Sequence, residues 1–254
     1  MKYIQSDKNP QVKQWKKLKT RKERDKSGMF LVEGIHLVEE ALTKKEDVEE
    51  IILSEKTELP PGMDYGSISV TVVTDDISLQ LADTETTQGI FAVCRQSKQN
   101  IANGRTFLLI DAVQDPGNLG TMIRTADAAG MDAVIVGKGS VDLFNPKVLR
   151  SAQGSHFHLP VLNGDLHEWI TKLQTDNIPV YGTSLENGVI FTEAESKESF
   201  ALLVGNEGSG VNKELLAKTT QNLYIPIYGK SESLNVAVAA GILLYYLKIG
   251  SKTI

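Results

Sequence analysis

The chain has 254 residues, 41% of them hydrophobic and 23% charged, with a formal net charge of −5. Such a composition belongs to an ordinary globular protein with core enough for two modest domains or one large one. The single Cys94 excludes a disulfide framework and a thiolate metal site, and no apolar run is long enough to span a bilayer or serve as a signal-peptide core, so a reducing cytoplasm is the expected setting.

The charge is unevenly placed. Residues 1–26 hold ten Lys or Arg against three acids, a local +7 that leaves −12 on the rest of the chain. A basic end on an acidic body points to a polyanion met at that end, or simply to a solvated basic helix. Within this stretch Val12, Trp15 and Leu18 recur at helical spacing, which predicts an amphipathic helix with a cationic outer face. Strands are expected at Met29–Val32, Ile51–Leu53, Val70–Val73 and Ile90–Cys94, with helices over Leu37–Leu42 and near Ile77–Leu81. These make a small α/β domain over 1–95, followed by a polar linker over 96–105 that carries the Asn103-Gly104 turn signal.

From Thr106 the pattern restarts and defines a second domain, 106–254. Strands are expected at Phe107–Ile110, Ala133–Val136, Val180–Thr183, Ala201–Val204 and Leu223–Ile227. Helices are expected through Ala129, over Pro146–Gln153 and Leu166–Leu173, and over Asn235–Leu247. Strands alternating with helices predict an α/β fold with a mostly parallel sheet covered on both faces. The last helix is apolar nearly all round, which predicts burial on every side, in the core or against another subunit.

Several chemistries lack their signatures. There is no phosphate-binding Gly-Lys-Ser/Thr loop, no G-x-G-x-x-G after a strand, and no G-x-S-x-G elbow. His156 and His158 would share one side of a strand, but no Cys or further His completes a metal site.

Three loops at strand ends remain. In Asp111–Arg124, Pro116-Gly117 makes a turn, Asn118 is placed to cap a helix, and Arg124 follows among Met122, Ile123 and Ala126. A guanidinium beside an apolar helix face needs a partner, and Arg suits bidentate phosphate recognition. In Gly205–Gly210, three glycines admit a ligand close to the backbone and offer it N–H groups, with Glu207 at the carboxyl end of a strand. A tight turn is the plainer reading of that loop. The third runs from Ile225-Pro226-Ile227 to Ser233-Leu234-Asn235, where capping of the last helix accounts for one of Ser233 and Asn235 better than for both.

The stretches 115–124, 203–210, and 225–227 with 233–240 resemble, in order, the three motifs of the SpoU/TrmH family of SPOUT RNA ribose methyltransferases. The segment 145–154 is similar to the one between the first two motifs, and Phe30–Gly34 resembles part of the family's substrate-binding domain, a small α/β fold shared with some ribosomal proteins. The resemblance implies a parallel sheet with a deep trefoil knot, against the general rule that chains are not knotted. It also implies a homodimer built on the C-terminal domain, S-adenosylmethionine as methyl donor, and the ribose 2′-hydroxyl of RNA as acceptor. Ribosomal RNA of the large subunit is favoured by the separate N-terminal domain; transfer RNA, or a non-catalytic RNA-binding assembly factor that keeps the fold, are the alternatives.

Carried over by motif, Gly205, Ile225 and Leu234, with Thr183 beside them, would contact the cofactor. Arg124 would have the catalytic role, supported by Asn118, Glu207, Ser233 and Asn235. An Arg is too basic to take a proton. A clamp on a substrate phosphate, with a phosphate oxygen or water as proton acceptor, is the better role for Arg124, and Glu207 would orient Arg124 or Asn118. Glu207 as the base itself is the competing reading.

Overall fold

The computed structural model describes residues 2–97, 101, 103–195 and 197–249. The chain forms two compact units, Met1–Lys98 with Phe144–Phe157, and Gln99–Leu143 with His158–Ile254. Residues 98–100 and 102 of the expected linker at 96–105 lie outside the described residues. The return of 144–157 to the first unit has no counterpart in the sequence-based division. Phe144, Leu149 and Phe157 mark that segment as buried, and only the folded chain shows that they join the core of Phe30, Val32 and Val38.

The first unit is a five-stranded sheet of β1 (Lys2–Ile4), β2 (Met29–Glu33), β3 (Val48–Ser54), β4 (Ser69–Val73) and β5 (Ile90–Arg95), in the order β1-β4-β3-β5-β2. β1, β4 and β3 run parallel; β5 is antiparallel to both β3 and β2. Its helices are α1 (Pro10–Lys17), α2 (Arg21–Ser27), α3 (Ile35–Leu42) and α4 (Asp75–Leu81). Asn9 caps α1 by accepting the Gln11 N–H, and Pro10 supplies a helical φ at its first position. Val12, Trp15 and Leu18 go into a core with Ile52, Val73 and Phe91, as their spacing requires.

A buried carboxylate ties α1 to the sheet. Glu50, 8% exposed, accepts hydrogen bonds from the Gln11 amide (2.8 Å), the Trp15 indole (3.2 Å) and the Thr71 hydroxyl (2.6 Å). Three donors offset much of the cost of burying that group. The basic surface rides on the result: eight of the ten cations in 1–26 are exposed, whereas Arg24 turns inward and donates to the Leu18 carbonyl at 2.7 Å. Cys94 is buried in the same unit, and desolvation pushes its thiol up, so it is no nucleophile.

The second unit is a seven-stranded sheet of β6 (Thr106–Ile110), β7 (Ala133–Val136), β8 (Val161–Asn163), β9 (Val180–Thr183), β10 (Val189–Ile190), β11 (Phe200–Val204) and β12 (Gln221–Tyr224). Its order is β10-β12-β9-β11-β6-β7-β8, and every pairing is parallel. The chain-order helices are α5 (Pro116–Ala128), α6 (Pro146–Ala152, which belongs to the first unit), α7 (Leu166–Thr175), α8 (Lys213–Leu216) and α9 (Val236–Ile249). Leu166, Ile170 and Leu173 of α7 pack with Phe107, Leu109 and Leu203 on one face of the sheet. α9 packs against α5 and β11. β6 and β11 are buried at every position, as strands covered on both faces must be.

Three expectations change. The strand expected over Leu223–Ile227 ends at Tyr224, because its partner β10 stops there and Pro226 has no N–H to give a ladder. The His156/His158 strand is a 3₁₀ turn over Ser155–Phe157, so alternation does not apply, and His158 Nδ1 lies 3.2 Å from Asp127. α9 is not buried all round within the chain, so of its two expected settings the domain core alone does not account for it: Val238, Ile242, Tyr245 and Ile249 form an exposed stripe at 51%, 38%, 44% and 64%, spaced four, three and four residues apart on one helix face. Among the described residues, no helix is long and apolar enough to cross a membrane.

Replacing Trp15 by Ala removes a side chain that is 3% exposed and the indole donor to Glu50. A destabilisation of the first unit by about 3–5 kcal/mol is expected, read as a lower urea midpoint.

Candidate functional site

Parallel strands put all their carboxyl ends on one edge, and in such sheets the loops leaving that edge form the ligand site. Loops after β9, β11 and β12, with the start of α9, enclose a cavity of about 790 Å³. Thr183, Gly205, Ile225 and Leu234, the four residues expected to hold a cofactor, all line it, and so do Glu207, Ser233 and Asn235. The volume lies in the range of small-molecule sites. Its wall combines apolar Val236, Ala239 and Leu243 with polar Asn222 and Ser184.

A hydrogen-bond chain joins the three loops. Asn118 donates through its side-chain amide to Glu207 Oε1 at 3.0 Å and accepts from Asn235 Nδ2 at 2.8 Å. Glu207 also accepts the N–H groups of Asp115 (3.1 Å) and Gln114 (3.3 Å). Asn235 Oδ1 takes the N–H groups of Ala237 and Val238 and so caps α9. Asn118 is therefore not the cap it was expected to be. Pro116 sets the first position of α5, which makes Asp115 the cap, accepting the Asn118 N–H at 2.8 Å and leaving the Asn118 side chain to bridge.

The glycine loop differs from expectation as well. Its N–H groups are largely used within the loop: Gly208 and Ser209 donate to Asn206 Oδ1 at 2.9 and 3.0 Å, and the backbones of Asn206 and Gly210 pair with each other. Asn206 Nδ2 then donates to the Ala112 carbonyl at 2.8 Å. Gly205 is required by the chain itself, since a Cβ there would sit 2.3 Å from Gly210 C and Val211 N. The Thr183 hydroxyl donates to the Leu203 carbonyl, so that residue faces the cavity with its side chain already engaged.

Two expected site residues stand apart. Arg124 lies six residues beyond Asn118 on α5, about 9 Å along its axis. It does not line the cavity; it is exposed, and no partner holds it among the described residues. The apolar neighbours Met122, Ile123 and Ala126 are buried on the other side of α5, so the guanidinium needs no partner within this chain. Ser233 lines the cavity but caps nothing; its carbonyl accepts the Ser231 hydroxyl at 3.2 Å. Sequence reasoning missed Asn206 and Ala112, whose φ of 53° is left-handed without a glycine to explain it. Asn206 stands inside the glycine loop, but spacing does not say where its amide turns.

A model of the SpoU rRNA Methylase family matches residues 105–245, and one of the MRM3-like substrate binding domain matches 9–92. The chain is 54% identical over 248 residues to the 23S rRNA (guanosine(2553)-2′-O)-methyltransferase RlmP of Bacillus subtilis, covering 98% of this chain and 100% of that protein. Among solved structures, an AdoMet-bound rRNA methyltransferase from Sinorhizobium meliloti superposes with a TM-score of 0.87 at 27% identity, covering 98% and 97% of the two chains. The SpoU methyltransferase AviRb of Streptomyces viridochromogenes, in complex with AdoMet, does so at 0.85 and 25%, covering 95% and 98%.

The Glu207 arrangement has a pH signature. Burial raises its carboxyl, but the Asn118 amide, its own N–H and those of Asp115 and Gln114 outweigh burial and hold it below the ordinary Glu value. Its stabilising contribution is therefore complete above the unfolded value of about 4.3 and lost as pH falls through the lower folded value. The difference in urea midpoint between wild type and Glu207→Gln is expected to be steady near neutrality and to narrow in acid; a gap that widened in acid would reverse the sign.

Proposed function

The chain belongs to the SpoU rRNA Methylase family and is an S-adenosylmethionine-dependent RNA 2′-O-methyltransferase, and we propose that it methylates a guanosine ribose of 23S ribosomal RNA at the cavity lined by Glu207 and Asn235, which Asn118 bridges. One observation carries the placement: a single hydrogen-bond chain through Asn118 of α5 joins Glu207 and Asn235, two residues that line a cavity of about 790 Å³. The named Bacillus subtilis relative, similar over nearly the whole chain, supports the choice of RNA and of nucleotide. Action on that RNA puts the work in the cytoplasm.

Bound in the cavity, the cofactor supplies a sulfonium methyl. Thr183, Gly205, Ile225 and Leu234 hold it by the shape of the wall and by backbone groups. The site would present the ribose 2′-hydroxyl to that methyl group, with the hydroxyl proton passing to a phosphate oxygen or water. Alignment of oxygen, carbon and sulfur supplies most of the barrier lowering. Glu207 is the orienting group for Asn118, not the base: a carboxylate held below its ordinary pKa by several donors is a poor proton acceptor. Arg124, exposed and unpaired among the described residues, clamps a substrate phosphate beside the reacting ribose. The exposed cations of 1–26 meet further phosphates, with affinity that falls as salt rises.

The exposed stripe Val238, Ile242, Tyr245 and Ile249 fits a homodimer contact, because an isolated monomer would leave that apolar face in water. We also propose that the chain forms a trefoil knot, which its course supports. β12 lies beyond β9 on the far side from β11, yet the segment 225–235 leads back to place α9 against α5 and β11.

Labelled S-adenosylmethionine with ribosomal RNA from cells lacking this protein tests the reading. Label in 23S RNA, recovered as 2′-O-methylguanosine and reduced at least about 100-fold by Arg124→Ala, is expected. Near-full turnover with Arg124→Lys would overturn the bidentate clamp, and label in transfer RNA would overturn the substrate. For the dimer, Ile242→Glu with Tyr245→Glu is expected to halve the mass seen by light scattering; an unchanged mass would remove that stripe from the interface.

A further inference from the structure

Tyr228 is the most exposed large hydrophobic residue among those described, at 95%. Three of the other six tyrosine hydroxyls are tethered: Tyr3 donates to Glu55, Tyr181 to the Glu195 carbonyl at 2.9 Å, and Tyr246 to the Thr192 carbonyl at 2.7 Å. Tyr228 has neither a ring contact nor a hydrogen bond among the described residues, so neither packing nor a polar tether accounts for it.

Its position is informative. Tyr228 sits in the loop between β12 and α9, directly after Ile227 and five residues before Ser233, both of which line the cavity. Its Cα is about 3.8 Å from that of a wall residue. The ring therefore belongs to the loop that forms part of the cavity wall, within reach of a strand that presents a 2′-oxygen there. Lys230, two residues on and also exposed, adds a cation beside it. RNA bases drawn out of a helix are held by stacking on aromatic side chains, and an accessible 2′-hydroxyl requires a strand opened at that point.

We propose that Tyr228 is a stacking platform for an unstacked base at or next to the methylated nucleotide, and so a positioning residue for the RNA. The proposal rests on the methyltransferase reading above. The ring acts by presenting one π-face, which fixes the rotation of the nucleotide while the phosphate clamp fixes its translation. Stacking tolerates any base, so Tyr228 contributes to holding the strand open and not to the identity of the base.

The experiment uses the full-length protein, unmodified 23S rRNA transcript and labelled S-adenosylmethionine. Tyr228→Ala is expected to raise KM for the RNA roughly 5- to 150-fold, with cofactor affinity measured without RNA unchanged. Tyr228→Phe and Tyr228→Trp should restore wild-type KM. An unchanged KM in Tyr228→Ala would overturn the proposal, as would a Phe or Trp variant as weak as Ala. A change in oligomeric mass on Tyr228→Ala would assign the ring to a subunit contact instead and also overturn it. Wild-type protein that labels no RNA would take down the methyltransferase reading itself, an outcome distinct from a wild type that labels RNA and an Ala variant that matches it.

Discussion

Glu207 and Asn118 are 89 residues apart in the chain, Asn118 and Asn235 are 117 apart, and two hydrogen bonds hold the three side chains in a row. The rest of the site depends on this row. Each member does two tasks: Glu207 accepts from Asn118 and gathers the backbone of the loop after β6, Asn118 donates to Glu207 and accepts from Asn235, and Asn235 ends the row and caps α9. Removing Asn118 would leave a carboxylate and an amide that each lose a partner at the rim of a cavity, and would unlock the starting point of α9 from the loop that carries Glu207. An amide is suited to the middle place because its N–H donates to a carboxylate while its oxygen accepts from a second amide, with no change of protonation.

The row is possible only because the sheet is parallel. Every loop that follows a strand leaves on the same edge, so β6, β9, β11 and β12 deliver their loops to one place although long stretches of sequence separate them. The glycine loop shows a second consequence of crowding at that edge. Its glycines serve the chain first: Gly205 clears the way for Gly210 and Val211, and Asn206 consumes the N–H groups of Gly208 and Ser209. A loop organised in this way offers a ligand a rigid surface more than a set of free donors.

The two units divide the physical work differently. The first uses a buried carboxylate, Glu50, to set the basic helix α1 on its sheet, so that the exposed cations are displayed on a fixed frame. The second spends its apolar residues on a doubly covered sheet and still leaves one stripe of α9 uncovered by its own chain. Arg24 shows that a local count of cations overstates the charge available to a polyanion, because one of the ten is turned in to satisfy a carbonyl.

Pattern and length together determined most of the secondary structure here, because short apolar runs bounded by polar loops, such as Phe107–Ile110 and Ala201–Val204, suit strands covered on both faces, and the spacing of Val12, Trp15 and Leu18 suits one helix face. The order of three motifs, together with a resemblance, determined the family and the residues around the cavity. What the tertiary structure decided were matters of direction and partner. Pro116 moved the cap of α5 to Asp115 and freed Asn118 to bridge, Asn206 turned its amide into its own loop, Arg124 faced outward from α5, and 144–157 joined the first unit. These outcomes depend on which distant groups meet in space, and a hydrogen bond between residues a hundred positions apart leaves no period in the sequence from which to read it.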